Sequence, residues 1–351
     1  MIRNLLLGLF ISVLFLASSA QCENGRYRNF VFDNFSLTSD IEYGNNLDHN
    51  GASTDLFLDV YEPAGDTEVD RPLVIMVHGG SFIGGSKDGS DVVPMCQDLA
   101  SMGYVVASIQ YRLGIAIDFT ALTQNAKAAV IRGAQDSKAA VRFFRKDVAE
   151  NGNTYNIDPE KIYMVGVSAG GFNVLNVAYL NTDEEIPSDI DLSAPGLDGG
   201  AEGMSGNSGY SSAVAGIVNI AGAIADPDMI EADEAPVCSF HGTNDLTVPF
   251  GSDMLDFLQV FAIDSVHGSA TIHDRADLLG ISNCLEIQEG QGHVPHVSNE
   301  LYYDTLLSIS SNFLSHLICP EVELDCDYRD IEIVSSVDDL IANANFQLWP
   351  N

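Results

Sequence analysis

The sequence predicts an α/β protein: a mostly parallel central sheet with helices on both faces. Short apolar runs rich in β-branched residues recur at 71–78, 104–110, 162–165, 213–220, 235–240 and 284–288. Such uninterrupted runs mark strands buried on both faces, as parallel strands are. Between them lie stretches with helical spacing, at 91–102, 125–151, 172–180 and 302–317. In 125–151 the apolar positions Ala129, Val130, Ala134, Val141 and Phe144 follow that spacing. Strands alternating with helices make a covered parallel sheet.

The elements follow in order. Residues 1–20 read as an export signal: Arg3, an apolar run over 5–16, then the small residues of 17–20. The run is shorter than the ~20 apolar residues of a membrane span. Cleavage after Ala20 is favoured over lipid attachment at Cys22, and the mature chain is expected to be secreted or periplasmic. Residues 22–318 suit one catalytic domain. It opens with alternating, antiparallel-type runs at 28–33 and 54–61, separated by turn residues around Gly44 and Asn50–Gly51. Residues 181–212 are acidic, rich in Gly and Ser and without periodicity. They are too long for an idle connection and are expected to form a loop or small lid above the site. Residues 319–351 form an acidic tail.

The chain carries 15 basic and 50 acidic residues, a net charge of −35. Removing 1–20 takes away Arg3 alone, leaving −36. Such a surface repels nucleic acid and anionic membranes, so neither is an expected partner. It serves solubility and suits salty water, where cations screen self-repulsion. Six cysteines, all beyond residue 20, permit disulfides after export. Cys96 and Cys238 have apolar neighbours and are expected to be buried thiols. Cys319 and Cys326 are the favoured bridge, although six cysteines allow fifteen pairings.

The chemistry centres on Gly166-x-Ser168-x-Gly170, placed between a strand and a helix. That context makes it a nucleophile elbow, a turn so tight that only glycine fits two residues either side of the serine. A serine hydroxyl needs a base, and the base an orienting acid. Asp245 follows the run ending at 240, and His293 follows the run ending at 288, after Gly290 and Gly292. His296 lies three residues on; His293 is preferred because the glycines let the chain turn steeply there, while Pro295 directs His296 onward to the rim or the closing helix. His78-Gly-Gly-Ser-Phe82 supplies an oxyanion loop, where the Gly80 and Ser81 N–H groups can join that of Ala169.

Blander roles fit the remaining candidates. His78 is expected to order the oxyanion loop and His241 to pack beside the acid turn. His267 and His273 are expected to be structural or exposed, and Asp253 and Asp256 to lie on a solvated helix face. No His/Cys/Asp cluster has zinc spacing and no Gly-rich loop carries a phosphate-binding lysine, so no metal or cofactor is expected.

Together His78-Gly-Gly-Ser-Phe82, Gln110-Tyr-Arg-Leu-Gly114, Asp158-Pro-Glu-Lys-Ile162, Gly166-Val-Ser-Ala-Gly-Gly171 and His241-Gly-Thr-Asn-Asp245 resemble the secreted carboxylesterase branch of the α/β-hydrolases, with its lipase-like and feruloyl or acetyl-xylan esterase-like members. The resemblance covers roughly 54–317 and implies an α/β-hydrolase fold. It implies Ser168 as nucleophile, Asp245 as acid and His293 as base, with Gly80, Ser81 and Ala169 at the oxyanion. Ser81 stands where many relatives have a third glycine. The implied activity is hydrolysis of a small-molecule or polymer-linked ester; a serine peptidase of the same fold and a catalytically silent binding module are the other readings. The polar composition of 181–212 favours short acyl groups. The last eight residues, 344–351, resemble the opening of a C-terminal sorting domain of type IX secretion.

Overall fold

The computed structural model describes residues 21–326, apart from Ile117, Phe119 and 258–260. The expected export signal and most of the acidic tail, with its resemblance to a sorting domain, lie outside the described residues.

Among the described residues ten strands are formed: β1 (Phe35–Leu47), β2 (Ser53–Pro63), β3 (Arg71–Val77), β4 (Val105–Ile109), β5 (Ile157–Val167), β6 (Gly216–Ile220), β7 (Val237–Gly242), β8 (Ser252–Phe257), β9 (Phe261–His267) and β10 (Asn283–Gln288). Five helices accompany them: α1 (Val93–Ser101), α2 (Leu122–Glu150), α3 (Ala169–Tyr179), α4 (Ser269–Leu279) and α5 (Glu300–Ile318). Eight strands make one sheet in the order β1-β2-β4-β3-β5-β6-β7-β10. β2 pairs antiparallel with both β1 and β4, while β3 to β7 and β10 pair parallel. This is the α/β-hydrolase architecture.

The apolar runs are uninterrupted because successive side chains feed two cores. Leu73, Ile75 and Val77 of β3 pack on the face covered by α2, α3 and α4. Val74 and Met76 pack on the face covered by α1 and α5. Period-2 strands between helical layers require apolar residues on both sides.

Three elements differ from the sequence reading. The first strand is not 28–33; residues 26–32 instead hang on the end of α1, with the Val31 and Phe32 N–H groups both donating to Ser101 O. β1 begins at Phe35 and carries two register shifts, which hide its alternation. Asp253 and Asp256 lie on β8, not on a helix. The disulfides pair Cys22 with Cys319 and Cys284 with Cys326, so the bridge expected between Cys319 and Cys326 is corrected. Sequence proximity misled, since α5 returns Cys319 to the buried start of the domain. Cys96 and Cys238 are free and buried, as expected.

The segment 181–212 divides in two. Residues around 184–190 face the cavity described below. The later part lies on α2, whose polar face it satisfies: Arg112 pairs with Asp136 at 2.7 Å and donates to Gly196 O, Gln135 donates to Gly200 O, and Arg142 donates to Glu202 O. Buried charges persist only when paired in this way. No helix among the described residues is long and apolar enough to cross a membrane.

Two buried histidines make a testable stability device. His273 on α4 and His296 are each held down to about 4, chiefly because burial penalises the imidazolium. Between pH 6.5 and 4 the unfolded chain binds protons that the folded chain refuses, so stability falls as pH drops through that window. From pH 7 to 5 the pair is expected to remove on the order of 4 kcal/mol. Denaturant melts of the parent and of a His273→Gln/His296→Gln variant should diverge in pH slope; parallel slopes would refute the assignment.

Candidate active site

The elbow is built by close backbone approach. Any Cβ at Gly166 would strike the Gly170 carbonyl, and one at Gly170 would strike the Val77 carbonyl. Ser168 itself sits at φ 54°, in the left-handed region that a non-glycine residue enters only under constraint. Its N–H donates to Ile220 O at 2.7 Å, tying the turn to β6. The turn presents Oγ at the carboxyl end of β5, directly before α3.

Asp245 and His293 arrive on two loops that are laced together. Gly242, at the end of β7, lies against the Gln291 and Gly292 carbonyls with no room for a Cβ. Thr243 N donates to Gln288 O at 3.1 Å, Asn244 N to Gln291 O at 2.8 Å, and Gly290 N to Thr243 Oγ1 at 2.8 Å. Val294, a β-branched residue at φ 44°, completes the turn after His293 and marks strain beside the site.

Three side chains thereby meet. His293 Nδ1 lies 2.6 Å from Asp245 Oδ2, and His293 Nε2 lies 2.8 Å from Ser168 Oγ. Asp245 Oδ1 accepts from Thr247 N at 2.8 Å and Val248 N at 2.9 Å. Burial alone would raise the Asp245 carboxyl, but hydrogen bonds from His241 and His293 and the nearby imidazole charge hold it far below the usual carboxylate range. A carboxylate so bound orients His293 with Nδ1 protonated and Nε2 open to the serine proton.

The candidate oxyanion loop follows β3. Gly80, Ser81 and Phe82 take φ values of 115°, 54° and 60°, three positive values in a row. Ser81 thus holds the conformation for which glycine is the easy choice. The loop is braced from below. Gly79 N donates to Asp91 Oδ2 at 2.7 Å, His78 Nδ1 donates to Gly79 O at 2.7 Å, and the Tyr111 hydroxyl donates to His78 O at 3.1 Å. His78 stacks on Tyr111 at 4.4 Å, and burial holds its imidazole below its ordinary range, so it orders the loop as a neutral ring. No hydrogen bond from the Gly80 or Ser81 N–H is formed among the described residues. The Ala169 N–H opens α3 and has no partner within the helix.

His296 does not reach the rim. It is buried in a short 3-10 turn, Pro295–Val297, edge-on to Phe240 with ring centres 5.8 Å apart. His241 is buried beside the acid, as expected. Asp253 and Asp256 make no bond to His293.

Ser168, Ala169, Ser81 and Phe82 border a cavity of about 1040 Å³. Its apolar lining is Val130 and Ile131 of α2, Phe172 of α3, Ile186 and Ile190 of the 181–212 segment, and Leu255, Ile263 and Val266 of the β8–β9 hairpin, with acidic side chains such as Glu184, Asp226 and Asp256 also bordering it. The hairpin was missed in the sequence because its register shifts at Leu255/Asp256. The shift breaks the period-2 pattern that would have announced it. Lys127 sits at the cavity edge, bridging Asp189 at 3.0 Å and Asp264 at 2.5 Å. The clasp joins the 184–190 stretch to β9.

A family model, BD-FAE, matches residues 58–226, which include Gly80, Ser81, Ser168 and Ala169 and stop short of Asp245. A pyrethroid hydrolase of Mus musculus is 32% identical over 120 residues, covering 34% of this chain and 20% of that protein. A cocaine esterase of Oryctolagus cuniculus is 34% identical over 123 residues, covering 34% and 21%. The chain therefore spans about a fifth of the length of these curated relatives. Among solved structures, a Thermogutta terrifontis esterase aligns with TM-score 0.54 at 23% identity, over 75% of this chain and 90% of that one. A truncated carbohydrate esterase from gut microbiota aligns with TM-score 0.53 at 18% identity, over 81% and 96%. With the strand order and the elbow, these matches show an α/β-hydrolase fold and a similarity to the esterase branch of that superfamily.

Proposed function

We propose that this protein hydrolyses carboxylic esters through an acyl-enzyme, with Ser168 as nucleophile, His293 as base and Asp245 as the orienting acid. The observation that carries the reading is the unbroken hydrogen-bond chain from Asp245 through His293 to Ser168 at the mouth of an apolar cavity. Ser168 Oγ attacks the ester carbonyl carbon while His293 Nε2 takes its proton. The new oxyanion is received by the Gly80, Ser81 and Ala169 N–H groups. The tetrahedral centre collapses, the alcohol leaves, and it carries off the proton from His293. Water then repeats the sequence: His293 takes its proton, the hydroxide adds to the acyl carbon, and Ser168 leaves reprotonated. No step requires a metal or an organic cofactor. The N-terminal signal and the two disulfides support an exported protein.

The apolar part of the cavity lining favours longer acyl groups than the polarity of 181–212 alone suggests. Apolar lining comes from α2, α3 and the β8–β9 hairpin as well as from Ile186 and Ile190, and the volume lies at the upper end of the ~300–1,000 Å³ typical of ligand pockets. Each acyl methylene buried there is worth about 0.8 kcal/mol, close to a fourfold gain in kcat/KM at most. A series of nitrophenyl esters tests this. Specificity is expected to climb from acetate through chains of about six to eight carbons. A maximum at acetate would show that the acyl group does not enter the cavity, and no turnover of any member would remove the esterase reading itself.

A further inference from the structure

We propose that His241 is a positioning residue of this site: its Nε2–H, bonded to Val248 O in the acid turn and 3.4 Å from the buried Asp245 carboxylate, holds the acid in the orientation that His293 requires. This rests on the esterase reading above.

His241 closes β7, four residues before the acid, and is fully buried. Its two ring nitrogens face different chemistry. Nε2 lies 3.1 Å from Val248 O and 3.4 Å from Asp245 Oδ2, both of which only accept. A nitrogen facing two acceptors must carry the proton. Nδ1 lies 2.8 Å from Ser269 Oγ at the start of α4, and Ser269 Oγ in turn accepts from Asn219 Nδ2 at 3.2 Å. The Ser269 hydroxyl proton is thereby free to point at Nδ1, which accepts it. Asn219 is itself fixed on β6, where its Oδ1 accepts from Gly222 N at 3.0 Å. The relay therefore runs Asn219, Ser269, His241, Asp245, and it fixes Nε2 as the nitrogen that donates into the acid turn.

The Asp245 carboxylate is thereby gripped at both oxygens. Oδ1 takes the two backbone donors of the acid turn, and Oδ2 bonds His293 on the solvent side with the His241 Nε2–H lying 3.4 Å away from within the sheet. Without His241, Oδ2 would be held by His293 alone, the partner that has to move charge during the reaction. Val248 also lines the cavity, so the ring that caps its carbonyl anchors the acid turn and the cavity wall together. The ring stands edge-on to Phe250 at 5.6 Å, which fixes its plane. Asp245 is the charged group directly facing the ring among the described residues.

The test compares His241→Leu, which keeps bulk without a donor, with His241→Gln, whose Nε2 amide can still donate toward Asp245. Steady-state kinetics with a soluble nitrophenyl ester are paired with thermal melts. His241→Leu is expected to lose about 10- to 100-fold in kcat with KM nearly unchanged, the range for one hydrogen bond to a charged group. His241→Gln is expected to recover most of that loss at a similar melting temperature. The far-downfield proton resonance of the His293–Asp245 bond should move or vanish in His241→Leu and return in His241→Gln. If His241→Leu does not fold, Ser269→Ala probes the same relay with the ring in place, and about a 3- to 10-fold loss in kcat at constant KM is expected. Parental kcat in folded His241→Leu, or in Ser269→Ala, would overturn the proposal, as would a loss that follows melting temperature alone across the variants. A Ser168→Ala control separates the two levels. If it is inactive while His241→Leu is unimpaired, only the role of His241 falls; if it is active, the reading of the whole site falls.

Discussion

Ser168→Ala is expected to fold like the parent and to lose roughly 10⁴- to 10⁶-fold in kcat toward a nitrophenyl ester, the scale for removing a triad nucleophile. Alanine keeps the Cβ, so the elbow retains its strained turn at φ 54° and its bond from the Ser168 position to Ile220 O. The melting temperature should therefore stay within about 2 °C of the parent. What disappears is the Oγ that stands 2.8 Å from His293 Nε2. The braced oxyanion loop and the cavity remain, and they account for whatever slow turnover survives. A variant that keeps a tenth of parental kcat would require a different nucleophile.

His293→Ala is expected to fall by a similar factor, roughly 10⁴-fold or more in kcat, while His296→Ala stays within about tenfold of the parent. The two residues are three positions apart but in opposite situations. His293 is bonded at both nitrogens to the site, whereas both nitrogens of His296 lack a partner among the described residues and its ring is buried against Phe240. The cost of His296→Ala should appear in stability, as a cavity beneath the histidine loop. Its effect on kcat would follow only from loosening of that loop. Equal loss in both variants, at equal melting temperature, would mean that His296 takes part in proton transfer.

Much of the site could be read from the sequence because its parts are local. An elbow needs glycine on either side of a serine, and a Cβ at either Gly166 or Gly170 would meet backbone. Asp245 and His293 were legible because each follows a strand whose apolar run is plain. The parallel, doubly covered sheet was legible for the same reason, since β3 to β7 each carry residues for both cores. What was not legible depends on contacts far apart in the chain. The Cys22–Cys319 pairing spans 297 residues, and no spacing rule reaches across a fold. The β8–β9 hairpin was hidden by its bulge, and with it the apolar cavity wall. The role of 181–212 was obscured because its glycines and serines reflect backbone lying close on α2, where Gly203 presses on Gln135. Its polarity therefore said little about the cavity. His241 was recognised as a neighbour of the acid, but the relay through Ser269 and Asn219 required three elements to be in place.

The most direct test of the central claim is covalent trapping of the nucleophile. The protein is incubated with a dialkyl fluorophosphate, its intact mass is measured, and the modified peptide is sequenced. One adduct per chain is expected, on the peptide carrying Ser168. It should form in step with loss of esterase activity, be absent from Ser168→Ala, and form far more slowly in His293→Ala. An adduct on another residue, or labelling of Ser168→Ala at the parental rate, would contradict the account.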